Sequence, residues 1–121
     1  MSNGFKEMIR AGYELAESAL REEGTFAMFA IVTDRKSGAF FAEFDEKLVC
    51  VLDFEQHLRE EFGFPHLILF KGVNDQLECI ICIANQTASS SHVMVNAIDG
   101  KGSNFKLRRT AVYPRDKFTF T

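Results

Sequence analysis

Phe26 to Thr33 reads FAMFAIVT, eight residues without a charge. Successive side chains of a strand point to opposite faces, and both faces of this run are apolar. Such a strand belongs at the centre of a sheet, covered on both sides. The segment before it supplies cover. Phe5, Met8, Ile9, Gly12, Leu15, Ala16, Ala19 and Leu20 recur at helical spacing, while Lys6, Glu7, Arg10, Glu14, Glu17 and Arg21 fill the other face. Ser2 or Asn3 can cap this helix at its start, and Gly24 closes it. Gly12, Ala16 and Ala19 make its apolar stripe small, which suggests close approach to a sheet or to another helix.

Asp34 to Gly38 (DRKSG) is a turn, and Ala39 to Phe44 (AFFAEF) returns as a strand. Leu48 to Leu52 (LVCVL) reads as a short strand, because Val49 and Val51 are β-branched. Asp53-Phe54-Glu55-Gln56 has the form of a capping box and predicts a short helix over Phe54 to Phe62, ended by Gly63. Strands are expected at His66–Lys71, Gln76–Ala84, His92–Ile98, Asn104–Tyr113 and Lys117–Phe120. Asn74-Asp75 and the run Asp99-Gly100-Lys101-Gly102 provide turn chemistry, and Pro114 makes the last strand a short edge. Gln86 to Ser91 (QTASSS) is expected to be a mobile loop. The order predicts one α+β domain over residues 1–121. It has a single antiparallel sheet of about 6–8 strands, with the N-terminal amphipathic helix and the second short helix packed on it.

Composition bounds the function classes. At 121 residues and 46% apolar content, with 13 phenylalanines, the chain builds a core without disulfide or metal staples. No apolar run approaches the roughly 18–20 residues that span a bilayer, and the N-terminus lacks a signal-peptide pattern. Three cysteines, an odd number, argue against a secreted disulfide framework. A reducing, cytoplasmic setting is expected. Residues 1–63 carry 7 basic and 13 acidic side chains, residues 64–121 carry 7 and 4. An acidic front and a basic tail mark either an anion site or pairing within the fold. A pI near 5.6 argues against nonspecific nucleic-acid binding.

No motif rises to a named chemistry. Cys79-Ile-Ile-Cys82 has CxxC spacing, but within a strand the two sulfurs point to opposite faces, and no second pair completes four ligands. These cysteines, and Cys50, are read as core residues. His57 lies on the short helix, on its exposed side. His66 follows Pro65 at a strand start, and neither has metal-site spacing. His92 follows Ser89-Ser90-Ser91 at a loop-to-strand junction, where hydroxyls beside an imidazole can act as nucleophile and base or hold a phosphate. No glycine elbow surrounds them. The doublets Glu22-Glu23, Asp45-Glu46 and Glu60-Glu61 diverge along their elements. Gly100-Lys101-Gly102 lacks the strand–GxGxxG–helix setting of a phosphate cradle. No metal and no cofactor is expected.

The C-terminal run NFKLRRTAVYPRDKFTF raises one question. Phe105, Leu107, Arg109, Ala111 and Tyr113 share a face by alternation, so Arg109 falls among apolar neighbours, where an unpaired cation is costly. A bulge can return it to solvent, a carboxylate or carbonyls can pair it, or it can line an anion pocket. The residues expected to bind such a ligand are Arg109, Arg115 and Lys106 for its charge, Tyr113 and Phe105 for stacking, and His92.

The expected function is binding rather than catalysis, through a protein partner or self-association, as in an adaptor, inhibitor or immunity-type subunit. Strands apolar on both faces favour a homo-oligomer. One alternative is a receptor or sponge for a small anionic molecule such as a nucleotide. A second is an enzyme with a noncanonical site at Ser89–Ser91, His92 and Arg109.

Overall fold

The computed structural model describes residues 3–45, 50–100 and 102–118. Helix α1 (Asn3–Glu23) is followed by β1 (Phe29–Thr33) and β2 (Phe40–Phe44), then helix α2 (Val51–Glu61). A four-strand meander follows: β3 (His66–Asn74), β4 (Leu77–Asn85), β5 (Ser91–Asp99) and β6 (Lys106–Pro114). The six strands of the described residues form one sheet in the order β2-β1-β3-β4-β5-β6, every neighbouring pair antiparallel. This is the expected α+β architecture.

The helices cover opposite faces. Phe5, Met8, Ala16 and Leu20 of α1 pack with Phe29, Ile31, Leu67, Leu69, Ile80, Cys82 and Met94. Phe54 and Leu58 of α2 pack with Ala30, Val32, Ile68, Ile81, Ile83, Val93 and Val95. Consecutive residues of β1 therefore enter different clusters, which is why its sequence is apolar on both faces. The small stripe on α1 does what its composition predicted. A Cβ at Gly12 would lie 2.6 Å from Leu69 Cδ1 and 3.1 Å from Leu67 Cδ1, so the helix seats directly on β3. Leu15, counted in that stripe from the sequence, is 48% exposed, because the buried face is narrower than the apolar pattern.

Several local expectations need correction. The stretch read as a strand over Leu48 to Leu52 instead enters α2 at Val51, with Cys50 as its extended N-cap at φ −145°; residues 48 and 49 lie outside the described ones. Val51, Phe54 and Leu58 sit three and four apart, and burying that stripe outweighs β-propensity. Asp53 accordingly lies in the first turn, near the positive end of the helix dipole, and not at the cap. Cys50 is exposed, whereas Cys79 and Cys82 are buried in the α2-side and α1-side clusters respectively. His57 is half-buried. The Asp75-Gln76 turn between β3 and β4 has φ of 51° and 66°, the two-residue turn with both φ positive that suits a tight hairpin. Beyond Pro114 the chain makes a 3-10 turn over Arg115–Lys117 in place of the start of an edge strand; residues 119 and 120 lie outside the described ones.

Strand β6 answers the question of Arg109. Its register against β5 runs Ile98↔Leu107, Asn96↔Arg109, then Val95↔Ala111, with a bulge at that step. Leu107 packs on the α1 side with Phe105, whereas Tyr113 packs on the α2 side. The bulge thus moves Ala111 and Tyr113 to the opposite face from Phe105 and Leu107. Arg109 stays on the α1 side but is exposed, since β6 is the last strand of the sheet among the described residues.

Candidate functional site

A cleft of about 680 Å³ opens at the end of the sheet where β3 and β5 begin and β4 ends. Its walls include Glu55 and Arg59 of α2, Asn85, the Thr87–Ser91 loop, His92 and Arg115. Antiparallel register sets the polar floor. His66 pairs with Asn85 across β3 and β4, and Asn85 pairs with Ser91 across β4 and β5. Three polar side chains from three strands therefore stand side by side at one level.

Their hydrogen bonds form a closed set. The Asn85 amide donates to His66 Nε2 at 3.0 Å and to Glu55 Oε2 at 3.4 Å, while Ser91 Oγ donates to Asn85 Oδ1. Since His66 Nε2 accepts, Nδ1 carries the proton and donates it to the Gly63 carbonyl at 2.7 Å. Arg115 grips Glu55 with two donors, Nη2 to Oε1 at 2.5 Å and Nε to Oε2 at 3.2 Å. Nη1 reaches the Phe118 carbonyl at 3.4 Å. His66 is fully buried, Asn85 is 3% exposed and Glu55 6% exposed. Buried polar groups of this kind are tolerated when every member is satisfied.

The arrangement restricts what chemistry the floor can do. Both His66 nitrogens are occupied, and the planar fork of Arg115 is spent on Glu55. Burial pushes the His66 pKa below its ordinary 6.5, opposed by the bond to Gly63 and by the Glu55 carboxylate. The unfolded imidazole takes up a proton near pH 6.5, while the folded one does so only at lower pH. Stability is therefore complete above that pH and lost as pH falls through and below it. We expect the urea midpoint to drop between about pH 7 and pH 5, and the drop to shrink in His66→Gln. Parallel pH profiles for the two proteins would contradict this.

Of the residues expected to hold an anion, only Arg115 and His92 line the cleft. Phe105 is buried under α1 with the Arg21 guanidinium 4.7 Å above its ring. Lys106 is exposed opposite Asp99. Tyr113 packs against Phe118 on the α2 side, ring centroids 5.4 Å apart. Arg109 lies across the sheet near Tyr13, whose hydroxyl donates to Asn96 Oδ1 at 2.7 Å. Burial raises the Tyr13 pKa, and the Arg109 cation opposes that rise. The loop expected to be mobile is knitted by its own bonds: Ser89 and Ser90 backbone N–H groups donate to Thr87 Oγ1 at 3.3 and 3.0 Å. Sequence reasoning misses Glu55, His66 and Asn85 as site residues; the one signal is a polar Asn ending the apolar run CIICIA. Among the described residues, no group of three His, Cys, Asp or Glu is placed to hold a metal, and no described helix is long and apolar enough to cross a membrane.

A second feature lies at the opposite side of the sheet. β2 is an edge, with β1 on one side and no strand among the described residues on the other. Phe40, Phe41 and Phe44 are 39, 40 and 56% exposed. Its backbone direction follows from two flanking bonds: Asp34 N–H donates to the Ala39 carbonyl at 2.9 Å, and Asp45 N–H to the Met28 carbonyl at 3.3 Å. With Val32↔Phe41 and Ala30↔Glu43 between them, residues 39, 41, 43 and 45 turn their peptide groups towards β1. The N–H and C=O groups of Phe40, Ala42 and Phe44 point outward.

No family model matches the chain, and no curated protein or solved structure matches it.

Proposed function

We propose that the protein is a non-catalytic interaction module that adds a strand of another polypeptide to the outer edge of β2. It would act as an adaptor, inhibitor or immunity-type subunit, or by self-association. The observation that carries this reading is the unequal treatment of the two sheet edges. Natural sheets protect an edge from stray pairing with charge, bulges and proline. β6 has all three: Lys106, Arg108 and Arg109, the bulge after Arg109, and Pro114 at its end. β2 has three exposed phenylalanines in five residues and none of these devices except Glu43. An edge without a neighbouring strand among the described residues is suited to β-augmentation, where main-chain bonds supply affinity and alternate side chains supply specificity.

A receptor for a small anion draws less support. Arg115 is engaged by Glu55, and Arg109, Lys106 and Phe105 are placed away from the cleft. The cleft's charges also balance, with Arg59 and Arg115 against Glu55 and Asp116.

The test is native mass spectrometry of protein isolated from cells, wild type beside Ala42→Pro. Because the Ala42 N–H faces outward, proline there removes a donor from the open edge and spares the β1–β2 ladder. The polypeptide retained by wild type, whatever its mass, is expected to be lost from Ala42→Pro, with the circular dichroism spectrum kept. Phe40→Lys, a change at an exposed side chain, should act the same way. Retention of the same polypeptide by both folded variants would contradict the reading.

A further inference from the structure

We infer that the strand received at β2 is β2 of a second copy, paired antiparallel about a two-fold axis through Ala42; this rests on the reading of β2 as the interaction edge. The first reason is backbone register. With Ala42 opposite its own equivalent, Phe40 faces Phe44 of the other copy and Phe44 faces Phe40. Each outward residue then meets an outward residue and exchanges both its bonds, and none is left over. Sliding by one residue sets outward groups against inward ones. Sliding by two strands a phenylalanine without a partner.

Side chains agree with that register. Directly opposite residues of an antiparallel pair share a face. Ala42 and Phe29, the β1 partner of Phe44, belong to the α1-side cluster, so two Phe40–Phe44 pairs would flank a central Ala42–Ala42 pair there. Aromatic cross-strand pairs are among the stabilising ones. On the other face Phe41 falls opposite Glu43, so no carboxylate stands directly opposite another. Parallel in-register pairing would set Glu43 against Glu43.

Closure is the third reason, and it selects a second copy over head-to-tail pairing with β6. Joining β2 to β6 of a neighbour leaves an open β2 on every assembly and extends without limit. It must also cross the bulge. Joining β2 to β2 consumes both aromatic edges at once. The combined sheet then ends at both sides in β6, the edge guarded by Lys106, Arg108, Arg109 and Pro114. Charge complementarity alone would draw acidic β2 to basic β6, so the guarded ends are what decide. A five-residue edge is short beside the ~1,200–2,000 Å² of standard interfaces, so the dimer should dissociate on dilution.

The test uses oxidative cross-linking in a Cys50→Ser background, which removes the exposed native thiol. In the inferred register the two Ala42 Cα atoms lie roughly 5.5 Å apart, within disulfide reach. The two Ala39 Cα atoms lie about 20 Å apart, six strand positions at the usual rise. Ala42→Cys should therefore convert mostly to covalent dimer on oxidation, and Ala39→Cys should stay monomeric. Light scattering of the uncrosslinked wild type should give a dimer that dilution dissociates. A wild type that is monomeric at every concentration, or equal cross-linking at both positions, would overturn the inference. A different polypeptide held at the edge and lost in Ala42→Pro would end the second-copy inference and leave the interaction edge standing. A dimer that persists unchanged in folded Ala42→Pro and Phe40→Lys would end both.

Discussion

Glu55→Ala should destabilise the fold by about 3–5 kcal/mol, the range seen when one partner of a buried ion pair is removed. Glu55 keeps 8% of its side chain exposed and Arg115 keeps 20%. Deleting the carboxylate leaves the guanidinium in a polar but confined place with its two strongest acceptors gone. It also takes away one acceptor of the Asn85 amide, whose other donor hydrogen goes to His66. The partial exposure of Arg115 places the expected loss towards the lower end. Replacing both members by apolar residues, Glu55→Met with Arg115→Leu, should recover much of it, because burying two charges carries its own desolvation cost. Urea unfolding of the two single variants and the double variant checks this. Additive losses would show that the pair does not act as a unit.

Phe54→Ala is the second large effect, again about 3–5 kcal/mol. Phe54 is 1% exposed and lies between α2 and the strands that carry Ala30, Ile68, Ile81 and Val93. Truncation removes the transfer energy of a ring and leaves a cavity that the hydrogen-bonded sheet beneath cannot fully close. Among the described residues α2 is the helix on that face, so its attachment depends on Phe54 and Leu58. Leu52 is the internal control. It sits on the same helix but is 61% exposed, and Leu52→Ala should change the urea midpoint little, by roughly 0.5 kcal/mol or less. Similar losses at the two positions would mean that the buried stripe of α2 has been misplaced.

How much of this could be read from the residues differs by element, for physical reasons. The α1 stripe at Phe5, Met8, Gly12, Ala16 and Leu20 and the doubly buried β1 were legible because burial imposes a period on one segment. The start of α2 was not, since Val49 and Val51 signal a strand locally while the stripe Val51, Phe54, Leu58 is defined only once a face exists to bury it. Alternation on β6 held through Arg109 and then failed, because a bulge inserts one residue without changing composition. The His66–Asn85–Ser91 row belongs to register between strands; Asn85 at the end of an apolar run is its one mark in the sequence, and nothing in His66 or Ser91 adds to it. Strands apolar on both faces raise the expectation of an uncovered surface. That AFFAEF in particular is an edge, with Phe40, Ala42 and Phe44 facing outward, is a property of strand order.

Residue-resolved amide hydrogen exchange on wild type at high and low protein concentration reads the pairing of β2 strand by strand. Phe41 and Glu43, bonded to β1, should be protected throughout. Phe40, Ala42 and Phe44 should be protected in the concentrated sample and lose protection on dilution, in the alternating pattern that edge pairing requires. Exchange of Phe40, Ala42 and Phe44 at unprotected rates at both concentrations, in protein that is fully folded, would contradict the account.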